Sequence, residues 1–295
     1  MRRNRVIGWC AVASILIAGV VTIAFRPAEP AYQGKRLTEW LRDFDNGWDF
    51  DPDAPAVVAV RQMGTNALPI LLEMIKHRDS SFKQFLMKLS GKQAIMHFNF
   101  QPADRLHMRA AIGIYALGPN AKSAVPDLIA LARNPSPNPG LLLAVSALAG
   151  IGPEAKDAVP VLVKSLTHTN SEPLPTMSAY ALGRIGPEAK SSIPALTSIL
   201  QGGLDQDRLA AAFALARINS QPVDGVVLLV DGLRSTNSQT RSFAALLIGE
   251  LGGQARTLVP LLEKAVSDSD ADVHRQAGIA LKKIDPEAAA KAGVK

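Results

Sequence analysis

Three Gly-Pro pairs, Gly118-Pro119, Gly152-Pro153 and Gly186-Pro187, follow one another at intervals of 34 residues. No other feature constrains the fold as much, because a fixed period of this size marks a stack of small structural units. The prolines that follow keep the same step at Pro126, Pro160 and Pro194, and two lines are nearly the same text: Ile151-Gly-Pro-Glu-Ala-Lys-Asp-Ala-Val-Pro160 and Ile185-Gly-Pro-Glu-Ala-Lys-Ser-Ser-Ile-Pro194. Further on the step shortens to 33, and the apolar frame persists at Ile185, Ile218, Leu251 and Ile284, and at Leu182, Leu215, Ile248 and Leu281.

Each unit reads as helix, break, helix. The first helix is Ala-rich, as in Ala210-Ala-Ala-Phe-Ala-Leu-Ala-Arg-Ile218; Ala is the strongest helix former, and its small side chain lets helices approach closely. Gly then ends the helix and Pro prevents its continuation. The second helix carries apolar residues at i, i+3 and i+7, for instance Val159, Leu162 and Leu166, or Val226, Leu229 and Leu233. That is one buried stripe on an amphipathic helix. A hairpin of this kind cannot bury its apolar face alone and must stack on its copies. The expected fold is therefore all-α, an α-solenoid of helical hairpins preceded by an N-terminal transmembrane helix.

Tetratricopeptide and ankyrin repeats share the period, but the Trp-Leu-Gly-Tyr frame of the one and the Thr-Pro-Leu-His motif of the other are both absent. The line Ala147-Leu-x-x-Ile-Gly-Pro-Glu-Ala-Lys-x-Ala-Val-Pro-x-Leu162 instead resembles the short bacterial HEAT repeat, the kind also found in phycobilisome-lyase proteins. The resemblance spans residues 54–76 and 102–286. It implies a fold and says little about activity, since its motif residues are packing residues.

The transmembrane helix is read from Val6–Phe25, 20 residues without a charge. At about 1.5 Å per residue such a helix spans the roughly 30 Å of a bilayer core. A cleaved signal peptide is the competing reading, with a poor cleavage site after Ala24; the apolar region of such peptides usually runs only about 7–15 residues. Arg2, Arg3 and Arg5 precede the run and place the N-terminus in the cytoplasm, with the repeats on the outer side of a cytoplasmic membrane. Cys10 is the single cysteine and lies inside this run, so the fold does not depend on a disulfide. The formal net charge is +6, three of it in the first five residues, and the scattered remainder does not suggest a nucleic-acid footprint.

Between anchor and repeats, residues 26–53 read as a linker and a capping helix. Arg26–Gly34 is Pro-rich. Leu37, Trp40, Leu41 and Phe44 fall at i, i+3, i+4 and i+7, an apolar face suited to covering the open end of a solenoid. The line Tyr32–Leu41 also resembles the short leader that precedes HEAT repeats in bacterial secreted or anchored proteins. Asp43–Asp53 holds five aspartates, but the EF-hand register fails, with Gly47 at position 5 and Ala54 at position 12. A solvated acidic turn is the better reading.

The first repeat covers residues 54–77. From Pro69 to Pro126 is 57 residues, so residues 78–101 are an insertion. Phe82 and Phe85 lie there at helical spacing with Lys83 and Lys88 around them. They form either a helix laid on the solenoid or a basic amphipathic docking element. Repeats resume at 102–286, and 287–295 is a tail that frays or makes a short closing helix.

The chain offers little chemistry. Asp104 and His107 stand at i, i+3, short of the three or four convergent ligands a metal needs. There is no Gly-x-Ser-x-Gly elbow, phosphate loop or His-Glu-x-x-His. No His-Glu dipeptide occurs, unlike in the iron-binding HEAT-repeat hydroxylases that the family also contains. No cofactor or metal is expected. Equivalent polar positions on the second helices, Lys164, Ser198, Asp231 and Lys264, form a mixed ladder of the kind used for protein recognition. The expectation is a membrane-anchored scaffold that binds a protein partner outside the cytoplasm and is not an enzyme. The alternative that the resemblance implies is a lyase or isomerase acting on a chromophore or small ligand.

Overall fold

The computed structural model describes residues 29–46, 51–77, 103–133, 140–167, 173–202, 205–219 and 223–294. The expected anchor at 6–25 and the insertion at 78–101, with Phe82, Lys83, Phe85 and Lys88, lie outside the described residues. Among the described residues no helix is long and apolar enough to cross a membrane.

The described residues begin with a small cap. Strands β1 (Ala31–Tyr32) and β2 (Lys35–Arg36) pair antiparallel, with Tyr32 opposite Lys35. Gln33 and Gly34 turn between them, both at positive φ (50° and 78°), the backbone signature of a two-residue hairpin turn. Part of the expected linker is thus an ordered hairpin. Helix α1 (Leu37–Trp40) and a 3₁₀ turn at Leu41–Asn46 follow. Leu37, Trp40, Leu41 and Phe44 are all buried, and the segment packs against the helix Pro55–Met63. The Trp40 indole N–H donates to the Tyr32 carbonyl at 3.1 Å and locks hairpin to helix.

Seven helical hairpins follow among the described residues. Their first helices are α2 (Pro55–Met63), α4 (Ala103–Leu117), α6 (Gly140–Ile151), α8 (Leu174–Ile185), α10 (Asp205–Asn219), α12 (Ser238–Leu251) and α14 (Ala271–Ile284). The second helices are α3 (Leu68–Lys76), α5 (Val125–Arg133), α7 (Val159–Ser165), α9 (Ile193–Gly202), α11 (Val223–Leu233), α13 (Val259–Ala265) and α15 (Pro286–Lys291). This is an α-solenoid, as the period requires. The closing helix α15 is capped by Asp285, whose carboxylate accepts the Ala288 N–H at 3.0 Å.

The break between paired helices is a seven-residue 3₁₀ segment in four of the units, at Gly118–Ala124, Gly152–Ala158, Gly186–Ser192 and Gly252–Leu258. Gly186 holds φ +77°, a conformation costly for any residue with a Cβ. Midway, Ala121, Ala155, Ala189 and Ala255 leave helical geometry near φ −90°, ψ +16°. All four are fully buried, which leaves room there for little beyond a methyl group.

The two layers differ in width. First helices are buried nearly all round: in α10, Ala210, Ala211, Ala212, Phe213 and Ala214 have no exposed surface. Second helices bury one stripe, such as Leu162, Leu196, Leu229 and Leu262, and keep an exposed face. Closely packed Ala-rich helices shorten their layer, so the array bends toward it and the first helices form the inner wall. Side-chain contacts that skip a whole repeat on this wall, described next, require that curvature.

Candidate functional site

The inner wall carries a register of its own. One residue before the final apolar position of each first helix stand Gln62, Ala116, Gly150, Arg184, Arg217, Glu250 and Lys283. The cations among them occupy last turns, where the negative end of the helix dipole favours them. Gly150 is the gap that organises the rest. A Cβ at Gly150 would overlap the Tyr115 backbone on α4, and without one the Tyr115 side chain passes over α6 to α8. Its hydroxyl lies 3.1 Å from that of Tyr180 and accepts from Arg184 Nη1 at 3.0 Å.

Arg184 also donates to the Tyr180 hydroxyl at 3.1 Å, and its Nη1 sits 2.9 Å from Glu250 Oε2 on α12. The guanidinium lies over both tyrosine rings, with centroids at 5.6 and 5.9 Å, within cation–π range. Lys283 on α14 completes the row, donating to Glu250 Oε1 at 2.7 Å. Tyr180 stacks on Phe213 at 5.6 Å, and Gly183 is tight against that ring. A connected line thus runs along the wall from α4 to α14.

The charges settle accordingly. Burial works to raise the Glu250 pKa, but Arg184, Lys283 and Arg217 outweigh it and hold the carboxyl below the usual range. Burial pushes the Tyr180 hydroxyl well above its ordinary value, helped by Tyr115. Tyr180 is therefore neutral and serves as a hydrogen-bonding group.

Two cavities open along this wall. One, about 420 Å³, is lined by Arg61, Tyr115, Asn120, Arg184, Glu250, Lys283 and the Asp51-Pro52 turn. The other, about 860 Å³, lies between the Asp51–Asp53 turn and the last repeat, where His274, Arg275, Lys282 and Val294 line it. Asp51, Pro52 and Lys283 belong to both, so the two make one trough bounded by the first repeat and the last. Each volume falls within the roughly 300–1,000 Å³ typical of binding pockets.

Lys164, Ser198, Asp231 and Lys264 are exposed, as expected of polar ladder positions. They stand on the outer layer of second helices, however, and none lines the trough. Asp231 borders a separate pocket of about 280 Å³ with Asp205, Arg208 and Thr240. The inner-wall residues Arg184, Arg217, Glu250 and Lys283 carry the same repeat signal, at steps of 33 residues. Choosing between the two ladders needs the direction of bending.

One acidic reading changes. Asp45, assigned to a solvated turn, accepts from Nε and Nη2 of the buried Arg109 side chain (2.7 and 2.5 Å). That hydrogen bond, reinforced by the guanidinium charge, keeps the Asp45 pKa below its usual value. His107 donates Nε2–H to the His77 carbonyl at 2.6 Å, a bond that ties α4 to the end of α3. Among the described residues no group of three or more His, Cys, Asp or Glu side chains is placed to hold a metal ion.

The family model for HEAT repeats matches residues 125–216 and 226–292, more than half of the chain. The chain is a HEAT-repeat protein. The matched segments run from α5 through α15, and the helices α2, α3 and α4 precede them. The sequence matches no curated protein. Among solved structures, human deoxyhypusine hydroxylase in complex with glycerol is similar at 14% identity, covering 85% of this chain and 84% of that one, with a TM-score of 0.37. A likeness at that distance carries no argument about activity.

Proposed function

We propose that this HEAT-repeat protein is a membrane-anchored scaffold that works by binding a partner protein along its inner wall, outside the cytoplasm. The observation that carries the reading is the trough: a concave surface between the first and last repeats, with charged and phenolic groups projecting from a rigid Ala-packed wall. Arg184, Glu250 and Lys283 are engaged with one another, and Tyr180 is pushed away from titration near neutrality. Such groups recognise and orient; none is poised to transfer a proton. Arg2, Arg3 and Arg5 before the uncharged run 6–25 support the anchor and its orientation.

Photo-crosslinking in native membranes tests the reading. A photoreactive residue replaces Asn120 or Lys282 in the trough and, for comparison, Ser198 or Lys264 on the outer layer. Discrete protein adducts are expected from the trough positions. Adducts confined to Ser198 and Lys264 would move binding to the outer layer and overturn the proposal. A membrane-impermeant maleimide added from outside should modify a Ser198→Cys variant without lysis; modification only after lysis would sink the location.

A further inference from the structure

The trough's charge is uneven. Five cations line it, Arg61, Arg184, Arg275, Lys282 and Lys283, against three carboxylates, Asp51, Asp53 and Glu250, and Arg275 is itself paired with Asp272 at 3.1 Å. One of those carboxylates, Glu250, is shared by two of the cations. Arg61 donates to the carbonyls of Ala116 (3.1 Å) and Pro52 (2.9 Å), both neutral, so its charge is left for a ligand. Arg217 stands directly behind Glu250 in the register, and its buried Nε has no hydrogen-bond partner. The surplus is positive, and it sits on a rigid wall.

We infer that the trough takes an acidic, extended peptide segment, a conclusion that rests on the binding role proposed above and adds the partner's chemistry. Carboxylates spaced along such a segment meet Arg61 at one end and Lys282 at the other. Its backbone finds neutral partners in Asn120 and the Tyr115 hydroxyl. A nucleic acid fits less well. Duplex DNA carries one negative charge per about 1.7 Å of axis, and Asp51, Asp53 and Glu250 would oppose such a dense row. Mixed lining suits a ligand whose charges are few and separated.

The test pans a random 12-residue peptide library on full-length protein in detergent micelles and measures recovered peptides by fluorescence anisotropy. Binders are expected to carry net negative charge. Their affinity should fall about ten-fold in the double variant R61Q/K282Q and fall further with added salt. Asp53→Asn removes an opposing charge from the rim, so it should tighten the same peptides about two- to five-fold, a gain that misfolding cannot mimic. Neutral or cationic binders, no binders at all, or a single-stranded DNA oligonucleotide that outcompetes the acidic peptides would overturn the inference. So would acidic binders indifferent to both variants. Neutral peptides that R61Q/K282Q abolishes would leave the trough a binding site and sink only its charge preference. Peptides indifferent to the variants, with crosslinks only from the outer layer, would remove both claims.

Discussion

Gly150 shows how a missing side chain determines what its neighbours do. Tyr115 crosses α6 because nothing projects at that position, and its hydroxyl then completes the Arg184 site on α8. A methyl group at Gly150 would overlap the Tyr115 Cα, an atom that cannot move without shifting α4. Gly150→Ala should therefore destabilise the protein by about 1–3 kcal/mol, the range for overpacking a tight interface, read as a lower thermal midpoint in circular dichroism. Gly202→Ala is the control. A Cβ there meets no atom within 4 Å, and the change should stay within about 0.5 kcal/mol. Glu250 adds a pH dependence at the same scale. Its folded pKa lies below the ordinary carboxylate value, so its contribution is complete above about pH 4.5 and is lost as pH falls through the folded value. Asp45 and Asp268, each lowered chiefly by a hydrogen bond from its arginine, act in the same direction. Urea unfolding from pH 7 to 3 should show stability falling in the acid range. Glu250→Gln should be less stable at pH 7 and show a shallower fall, because one of the protons linked to unfolding is gone.

At the scale of elements, the hairpins and the cap were legible because their determinants are local. Gly-Pro junctions, Ala-rich lines and i, i+3, i+7 stripes all lie within one unit, and Leu37, Trp40, Leu41 and Phe44 declare the cap within eight residues. The Asp45–Arg109 pair was not legible, since its partners are 64 residues apart and meet only once the cap has docked. Nor was the Gln33-Gly34 hairpin, whose two-residue strands are too short to show alternation. The inner-wall ladder was visible as a register, yet whether it faced inward depended on the first-helix layer being the narrower one. Burial of Arg109 gives the cap a specific dependence. Its side chain is 5% exposed and Asp45's is 27%, so Arg109→Ala strands a partly buried carboxylate and opens a void beside the Leu41–Asn46 turn. The expected loss is about 2–4 kcal/mol, concentrated at the cap. Hydrogen exchange should report faster amide exchange across residues 31–46 with little change in α12–α14. Uniform acceleration through all repeats would mean that cap and array unfold as one unit.

For the whole molecule, curvature is set by two devices that act over different ranges. Ala and Gly packing brings neighbouring first helices close, pair by pair, as where Gly249 meets the Ala280 backbone. The Arg184 line acts across a repeat, joining α4 to α8 through Tyr115 and α8 to α12 through Glu250. In a solenoid each unit touches only its neighbours, so small angular errors accumulate along the stack, and links between second neighbours suppress them. The trough depends on this, because its sides come from opposite ends of the array. Arg184→Met retains an apolar stem, removes the link to Glu250 and weakens the link to α4, where the Tyr115–Tyr180 hydroxyl pair stays. It should leave helix content and the Ala-packed contacts unchanged while loosening the superhelix. Spin labels at Asp53 and Lys282, in a full chain with Cys10 replaced by serine, read the gap by electron–electron resonance. Both sites line one cavity, so the parent should give a short, narrow distance distribution and Arg184→Met a longer, broader one. If the distribution does not move, helix packing alone holds the ends together and Arg184 serves the ligand only. If it widens and the acidic peptides also bind more weakly, curvature and recognition are coupled through the same guanidinium.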